Sequence, residues 1–458
     1  MTDIAPVLAR LDADRDAALD RLCTLVGMQS ISTDPAYAGE CARTAEWLAE
    51  DLSAMGFAAR VQKTAGHPLV IAHHEGPGPH VLFYGHYDVQ PVDPLELWHR
   101  DPFDAAVIEE DGREMIVGRG TSDDKGQVMT FLEACRAHLA VHGALPCKVS
   151  IVLEGEEESN GDALKTFLAA NPAEMTADLA LVCDTTMWNR NTPAITTMLR
   201  GIVTEEITVR GATRDLHSGF YGSAAANANH VLATALAGLH DASGRVTLRG
   251  FYDGVPEISE SLRAQWETLD FDPAGFLGGV GLSVPAGEAG RSVLEQVWAR
   301  PTAEINGVSG GYTGTGFKTV IPAEAHAKVS FRLVGDQDPD AVRESFRDHI
   351  RSALPADCEA VFTAHGGARA ISMPTDKPAF EQARRALSEE WGREAAFIGC
   401  GGSIPIVGDF RRILGMDTAL IGFALEDDRI HSPNEKYDLR SFTGGMRSWA
   451  RVLAALAD

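Results

Sequence analysis

Short apolar runs alternate with helical segments over roughly the first two hundred residues of the chain. The spacing of the apolar positions predicts strands at Val81–Tyr84, Lys148–Leu153 and Leu179–Cys183, and helices at Asp3–Val26, Arg43–Met55, Lys125–Leu139 and Asp162–Ala170. Strands that alternate with helices in this way are typical of a largely parallel sheet covered by helices on both faces.

The pattern changes at about Arg200. From there it predicts a β-α-β-α-β module, with strands at Thr204–Arg210, Ala325–Val334 and Glu359–Ala364 and helices at Ala224–Leu239 and Pro339–Leu354. A stretch rich in Gly and Pro, Gly250 to Gly316, is predicted to be irregular. The first pattern then resumes, with helices at Lys377–Trp391 and Leu439–Leu456 and a strand at Thr418–Phe423. We therefore predict an α/β domain made of residues 1–199 and 376–458, interrupted by an inserted α+β domain of residues 200–375.

The composition is that of an acidic globular protein, with a net charge of −25 and 45% hydrophobic residues over 458 positions. A chain of this length is expected to form two or more domains. The negative charge excludes nucleic acid and anionic membrane surfaces as partners, because both attract basic proteins. No run of about eighteen apolar residues and no secretory signal is visible. The seven cysteines are scattered and include no C-x-x-C pair, which predicts buried thiols in a cytoplasmic protein.

Residues that can bind metal follow each of the three predicted strands of the first region. His86 follows the first strand, the acidic run Glu154–Glu158 follows the second, and Asp184 follows the third. Open α/β sheets bind ligands at the carboxyl ends of their strands. The sequence therefore predicts a functional site at this edge of the sheet.

His86 and Asp88 are two positions apart, so an extended chain would point both side chains the same way. One imidazole nitrogen could then bind a metal while Asp88 accepts the other N–H, which fixes the tautomer. Taken alone, the spacing also fits an ordinary core or surface histidine.

Asp123 and Asp124 stand between a glycine-rich turn and a predicted helix. Two carboxylates at the start of a helix can be a simple cap, because the helix dipole favours anions there. The functional interpretation is that Asp123 bridges two metals and Asp124 is structural. A phosphate-binding loop is excluded, because the segment does not fit the G-x-x-x-x-G-K-[ST] pattern and its acids would repel phosphate.

Glu157 and Glu158 are adjacent, so their side chains point apart. One could bind metal while the other faces the attacking water as a general base; an acidic surface loop is the alternative, and it is the one we expect for Glu154 and Glu156. Asp184 could instead cap a helix, and His431 could be an ordinary loop histidine. Together these residues predict two sites of mixed nitrogen and oxygen ligands, which suit zinc, manganese or cobalt. Two metals that share a carboxylate can hold a hydroxide and polarise a carbonyl group.

Six segments, in order, resemble the dinuclear metallopeptidase family that contains carnosine dipeptidases, acetylornithine deacetylase and carboxypeptidase G. The resemblance is nearest to the cytosolic nonspecific dipeptidase branch and covers nearly the whole chain. The matching segments are His86–Pro91, Gly118–Gly126, Asp215–Gly219, Lys318–Pro322, Gly402–Pro405 and His431–Lys436.

The resemblance implies a role for each candidate residue. One metal would be held by His86, Asp123 and Asp184, and the other by Asp123, Glu158 and His431. Glu157 would be the general base, and Asp88 would orient His86. Members of this branch form homodimers through the inserted domain, which serves as a lid, and a residue matching His217 stabilises the oxyanion in the partner's site. Thr319, Arg332 and Ser403 would bind substrate, with Arg332 on its free carboxylate.

Three hypotheses follow. The first is a metal-dependent dipeptidase, with two divalent metals, zinc foremost, that hydrolyses small peptides by a metal-bridging hydroxide and Glu157 as base. The second is an N-acyl- or N-carbamoyl-amino-acid amidohydrolase with the same dinuclear site. The third is a non-catalytic binding protein on this scaffold, because fold alone does not fix function.

Overall fold

The computed structural model of the protein describes residues 3–159, 161–402 and 404–458. The chain divides into two compact units. The first unit comprises Met1–Thr197, Met373–Ile398 and Asp409–Asp458, and the second comprises Met198–Ser372 and Gly399–Gly408.

The helices of the described residues vary from single turns to helices of five turns. In chain order they are α1 Ala5–Ala13, α2 Arg15–Val26, α3 Ala38–Ala54, α4 Lys125–His142, α5 Ala163–Ala170, α6 Pro172–Met175, α7 Ser218–Tyr221, α8 Ala228–Ala237, α9 Glu260–Glu267, α10 Pro273–Gly278, α11 Val293–Trp298, α12 Pro339–Ser352, α13 Pro378–Trp391, α14 Pro405–Asp409 and α15 Leu439–Leu456. Among these residues no helix combines the length and the apolar character needed to cross a bilayer.

The strands of the described residues are β1 Ala58–Gln62, β2 Leu69–His74, β3 His80–His86, β4 Ala106–Glu110, β5 Arg113–Val117, β6 Lys148–Glu154, β7 Leu179–Val182, β8 Ala194–Leu199, β9 Gly201–Arg210, β10 Leu216–His217, β11 Thr302–Gly310, β12 Val320–Ile321, β13 Glu324–Leu333, β14 Glu359–Ala368, β15 Ile371–Ser372, β16 Ala396–Cys400, β17 Thr418–Leu420 and β18 Lys436–Asp438.

The first unit is built on a mixed sheet with the strand order β1-β2-β6-β3-β7-β17-β8. The central pairs β6/β3, β3/β7 and β7/β17 are parallel, and the outer pairs are antiparallel. Strands β3, β6 and β7 are buried along almost their whole length, as strands covered on both faces must be. The predicted fold class, a mostly parallel sheet flanked by helices, is confirmed. A smaller antiparallel sheet, β18-β5-β4, accompanies it.

Helix α4 is the central helix of the first unit, and most of its side chains are buried. It packs against α1, α2, α15 and β3. Phe131 of α4 stacks on Phe83 of β3 with ring centroids 3.7 Å apart, and Trp449 of α15 meets both rings edge-on. Because α4 begins at Lys125, this aromatic core also fixes the position of Asp123, two residues before the helix.

The second unit contains an antiparallel sheet of order β11-β13-β9-β14, with α8 and α12 packed against it. Burial alternates along β9 and β13, so one face of the sheet lies in a hydrophobic core with Phe331 and Phe346, and the other face carries half-buried polar residues. This alternation is the expected pattern for an antiparallel sheet with one covered face.

Three sequence predictions about the elements were wrong. The stretch Gly250–Gly316 is not irregular throughout, because it contains α9, α10, α11 and the nine-residue strand β11. β11 escaped prediction because an edge strand with little burial shows no apolar alternation; the module therefore has four strands. The single helix predicted for Asp3–Val26 is two helices. The helix predicted from Ala224 begins only at Ala228, after the cap residue Asn227.

Candidate metal centre

The register of the parallel strands aligns the loops that follow them. Tyr84 of β3 pairs with Val182 of β7, so His86 and Asp184, each two residues further on, leave the sheet side by side. On the other flank of β3, His86 pairs with Glu154 at the end of β6, directly before the run that contains Glu157 and Glu158. The expectation that these residues follow the carboxyl ends of neighbouring strands is met by this register.

The carboxylate of Asp123 lies between two histidines. Its Oδ1 is 3.0 Å from Nε2 of His86, and its Oδ2 is 3.1 Å from Nε2 of His431. The same His431 nitrogen is 3.2 Å from Oε2 of Glu158. Each oxygen of Asp123 therefore faces a different imidazole, which is the arrangement a carboxylate needs to bridge two cations.

Two groups of side chains in the described residues could each hold a metal ion. They are His86, Asp123 and Asp184, and Asp123, Glu158 and His431, with the ligand atoms of each group within 4.8 Å of one another. Carboxylate oxygens and imidazole nitrogens are the donors that zinc and similar divalent ions accept. Oε1 of Glu158 is buried without a hydrogen-bond partner, so this donor set leaves an oxygen that a cation would satisfy.

Asp88 holds several parts of the site at once. Nδ1 of His86 lies 3.1 Å from the backbone oxygen of Asp88 and 3.4 Å from its carboxylate. Because both are acceptors, Nδ1 would keep its proton when Nε2 loses its own and binds a metal. The Asp88 carboxylate also accepts hydrogen bonds from the backbone N–H groups of Glu157 and Glu158 and from the hydroxyl of Ser32. It therefore fixes the histidine and the acidic run in one geometry.

The acidic groups of the site repel one another. Burial, followed by the charge of Asp123, raises the pKa of Asp184 well above its usual range. Burial also raises the pKa of Glu157, with the nearby charges of Glu158 and Asp123 adding to the effect. Burial alone would raise the pKa of Asp123 too, but hydrogen bonds from His431 and His86 outweigh it and lower that pKa. Such clustered carboxyl groups with shifted pKa values mark functional sites, and the cluster has the charge that divalent cations would balance.

The predicted role of Glu154 as part of a solvated acidic edge was wrong. Its side chain is buried, and it accepts a hydrogen bond of 2.7 Å from the hydroxyl of Tyr84. Burial raises the pKa of Glu154 to about 8. The sequence could not show this contact, because Tyr84 is 70 positions away in the chain.

Two residues around the site, Gln90 and Glu435, were given no role by the sequence. Gln90 donates a 2.7 Å hydrogen bond to Oε2 of Glu158. Glu435 accepts from the loop that carries Asp123. Both lie in segments that carried the family resemblance, so the signal was present, but the contacts could not be read from it.

The other candidate residues, His217, Thr319 and Arg332, lie in the second unit, and Ser403 lies outside the described residues. His217 pairs with Val320 across the short β10/β12 ladder, and the backbone oxygen of Thr319 accepts from Ser218. Arg332 is half-buried on β13, and within the described residues no carboxylate forms an ion pair with it. Arg200, which the sequence did not single out, lies near it: burial and then the charge of Arg332 lower the pKa of Arg200 to about 10.

The fold and the two ligand groups define an α/β protein with a candidate dinuclear metal centre. The model of peptidase family M20/M25/M40 matches residues 82–455, and the chain belongs to that family. Divalent metal ions are implied by the family and are consistent with the donor set described above.

Relatives of known name match most of the chain. The Cys-Gly metallodipeptidase dug1 of Schizosaccharomyces pombe is 27% identical over 466 residues, covering 98% of this chain and 97% of that protein. The Beta-Ala-His dipeptidase of Homo sapiens is 28% identical over 383 residues, covering 82% of this chain and 75% of that protein. The crystal structure of the M20 family metallo-carboxypeptidase Sso-CP2 from Sulfolobus solfataricus matches with a TM-score of 0.80 and 30% identity, over 96% of this chain and 99% of that one.

Metal uptake by the metal-free protein is expected to release protons near neutral pH. Hydrogen bonds to Asp123 and Glu158 raise the pKa of His431 to about 10, so the imidazole is protonated at pH 7 and must lose its proton to offer a lone pair. The raised pKa of Asp184 acts in the same direction. Metal affinity should therefore increase as the pH rises from 6 to 8.

Calorimetric titration of the metal-free protein with zinc in buffers of different ionisation enthalpy measures this release directly. The His431→Asn variant, which has no proton to lose at this position, should release fewer protons. A binding enthalpy that does not depend on the buffer would contradict the expectation.

Proposed function

We propose that this protein is a metal-dependent dipeptidase that hydrolyses the amide bond of small peptides. The observation that carries the proposal is the pair of ligand groups that share Asp123, with Glu157 beside them, whose pKa is raised by burial and by the charges of Glu158 and Asp123. The relatives that are named as dipeptidases and that span most of the chain support the same reaction and substrate class.

The two metals would share one ligand. His86, Asp123 and Asp184 would hold the first metal, and Asp123, Glu158 and His431 the second. Zinc is the proposed metal, with manganese and cobalt as alternatives that accept the same donors. When bound, such metals supply a Lewis acid that acidifies water and polarises a carbonyl group.

Glu157 would carry the proton. Its side chain accepts no hydrogen bond from the described residues, and its pKa is raised by burial, so its carboxylate is a stronger base than an exposed glutamate. It would take a proton from the attacking water and then give it to the nitrogen of the leaving amine. Asp88 would support both steps by orienting His86 and by holding the backbone of Glu157.

The second unit would recognise the substrate. Arg332 would pair with the free carboxylate of a dipeptide, a role that suits a half-buried guanidinium with no acidic partner in the described residues. The nearby charge of Arg200 would strengthen the local attraction for an anion. Thr319 and Ser403 are proposed to bind the rest of the substrate.

A homodimer through the second unit is part of the proposal, and His217 would complete the partner's site by stabilising the oxyanion. Edge strand β11 supports this assembly because it exposes Ile305 and Val308, with 45% and 62% of their surfaces accessible, and a partner would cover them. A cytoplasmic location is also proposed, and it is supported by the absence of any disulfide among the seven cysteines, all of which lie in the described residues.

An N-acyl- or N-carbamoyl-amino-acid amidohydrolase would use the same metals and would bind the carboxylate of its substrate with the same residue, Arg332. The dipeptidase names of the relatives do not favour it. The two activities differ in whether the substrate has a free amino group.

Replacing Glu157 by Gln should lower kcat by about a hundred- to ten-thousand-fold, the usual contribution of a general base. Because Glu157 is not among the metal ligands, the metal content should not change. Steady-state kinetics and elemental analysis of the purified variant measure the two quantities. The matched control is Glu109→Gln, at an exposed position on β4, which should keep full activity. A Glu157→Gln enzyme that retains its turnover would refute the assigned base.

A substrate panel tests the reaction class. Protein stripped with a chelator and reloaded with zinc or manganese is assayed on Ala-Xaa, β-Ala-His, an acetyl-amino acid, a carbamoyl-amino acid and a tripeptide. We expect metal-restored cleavage of the dipeptides with free amines. In the same assay the Arg332→Lys variant should show a higher KM, because an ammonium group cannot form a bidentate pair with the carboxylate of the substrate. Cleavage of only the blocked amino acids would instead favour the amidohydrolase.

The role of His217 requires a dimer, so sedimentation velocity of the active enzyme should show two chains per particle. The His217→Ala variant should remain dimeric and keep its metal while losing most of its turnover, because the oxyanion is no longer stabilised. The control His230→Ala, at an exposed position on α8, should be fully active. An active enzyme that sediments as a monomer would exclude this role for His217.

A further inference from the structure

Glu435 has a fully buried carboxylate with four hydrogen-bond donors. Oε2 accepts from Nη1 of Arg119 at 2.7 Å and from the backbone N–H of Gly120 at 3.0 Å. Oε1 accepts from the backbone N–H of Ser122 at 2.9 Å and of Asp123 at 3.0 Å. A carboxylate is the only side chain of this length that can accept at both of its terminal atoms.

These bonds join the two loops that deliver the shared ligand and a histidine. One loop runs from Arg119 to Asp123, and the other runs from His431 to Glu435. The backbone reinforces the contact, because the N–H of Gly118 donates to the backbone oxygen of Glu435 at 3.0 Å. The relative position of Asp123 and His431 is therefore set by bonds that do not involve either ligand atom.

The surroundings of Glu435 are equally fixed. Arg119 is buried, and it also donates to the backbone oxygen of Pro91 and lies over the ring of Trp98, 5.4 Å from the centroid. The hydroxyl of Ser122 donates to Asp428, which in turn accepts from Lys436. Neither loop can shift without breaking buried hydrogen bonds, and each buried group left unpaired would cost about 1–3 kcal/mol.

We propose that Glu435 is a positioning residue of the metal centre, which holds Asp123 and His431 at the separation that two cations sharing Asp123 require. This inference rests on the proposed dinuclear centre. Outer-shell partners of metal ligands act on metal affinity, so the loss of Glu435 should weaken metal binding, whereas a purely structural carboxylate would affect only the stability of the fold.

The chain offers a matched control for this distinction. Glu133 of α4 is also a buried glutamate of the first unit, only 2% exposed, and it is held by Arg21 at 2.6 and 2.7 Å and by Arg136 at 3.2 Å. It contacts no candidate metal ligand in the described residues. Glu133→Gln and Glu435→Gln thus remove the same charge from similar arginine-paired environments, and only the second lies beside the metal site.

The test measures metal affinity by competition with a chromophoric chelator, and the rise in Tm between the metal-free and the zinc-loaded protein. Glu435→Gln should lower zinc affinity by about 10- to 100-fold and reduce the rise in Tm, because stabilisation by a ligand depends on its affinity. Glu133→Gln should lower the Tm of both forms and leave the affinity and the rise unchanged. The variant Glu435→Asp keeps the charge but cannot reach all four donors, so it should fold and still bind zinc more weakly than the parent.

Each result decides a different claim. A parent protein that binds no zinc would refute the dinuclear centre itself. A parent that binds two zinc ions per chain, with unchanged affinity in Glu435→Gln, would overturn the positioning role. If Glu435→Gln does not fold, unchanged affinity in Glu435→Asp overturns it in the same way. If Glu133→Gln loses as much zinc affinity as the Glu435 variants, the loss reflects general destabilisation of the fold, and the positioning role is overturned.

Discussion

The structure depends on one electrostatic constraint, which is the gathering of acidic side chains at the carboxyl ends of the parallel strands. Within the described residues the basic side chains that pair with these acids are the imidazoles of His86 and His431. None of the acids forms an ion pair with lysine or arginine in those residues. The acids concerned are Asp88, Asp123, Asp124, Glu154, Glu157, Glu158 and Asp184. Part of this charge is removed by protonation, since burial raises the pKa of both Asp124 and Glu154 to about 8. The remainder is the charge that divalent cations bound by these ligands would neutralise.

Strand register and hydrogen bonds between loops keep these like-charged side chains close together. The parallel register of β3 with β6 and β7 brings three loops to one edge, and α4, most of whose side chains are buried, carries the fourth loop. Asp88 then ties the loop after β3 to the loop after β6. Glu435 ties the loop before α4 to the loop of His431. These hydrogen bonds between loops hold side chains of like charge close together.

The sequence predicted what depends on short-range pattern. His86, the Glu154–Glu158 run and Asp184 could be placed at strand ends because apolar runs locate the strands and topology locates their ends. It could not predict contacts between distant positions: Tyr84 bonds Glu154 across 70 residues, and Arg119 bonds Glu435 across 316. The edge strand β11 was missed for another reason, since a strand with little burial has no apolar alternation to detect. The roles given to the site residues remain predictions.

Buried carboxylates of the described residues differ in whether a basic side chain pairs with them. Glu133, Glu205, Glu288 and Glu435 are each paired with arginine. The buried acids of the candidate centre are not, and several have strongly raised pKa values instead. A buried charge that is paired within the protein contributes to the fold, whereas one that is left unpaired is maintained at a cost in stability. Cations bound by these unpaired acids would offset that cost. Glu435 is paired with Arg119, and it also accepts hydrogen bonds from the backbone of Ser122 and Asp123. In our proposal these bonds let a carboxylate that is held by the fold set the position of a metal ligand.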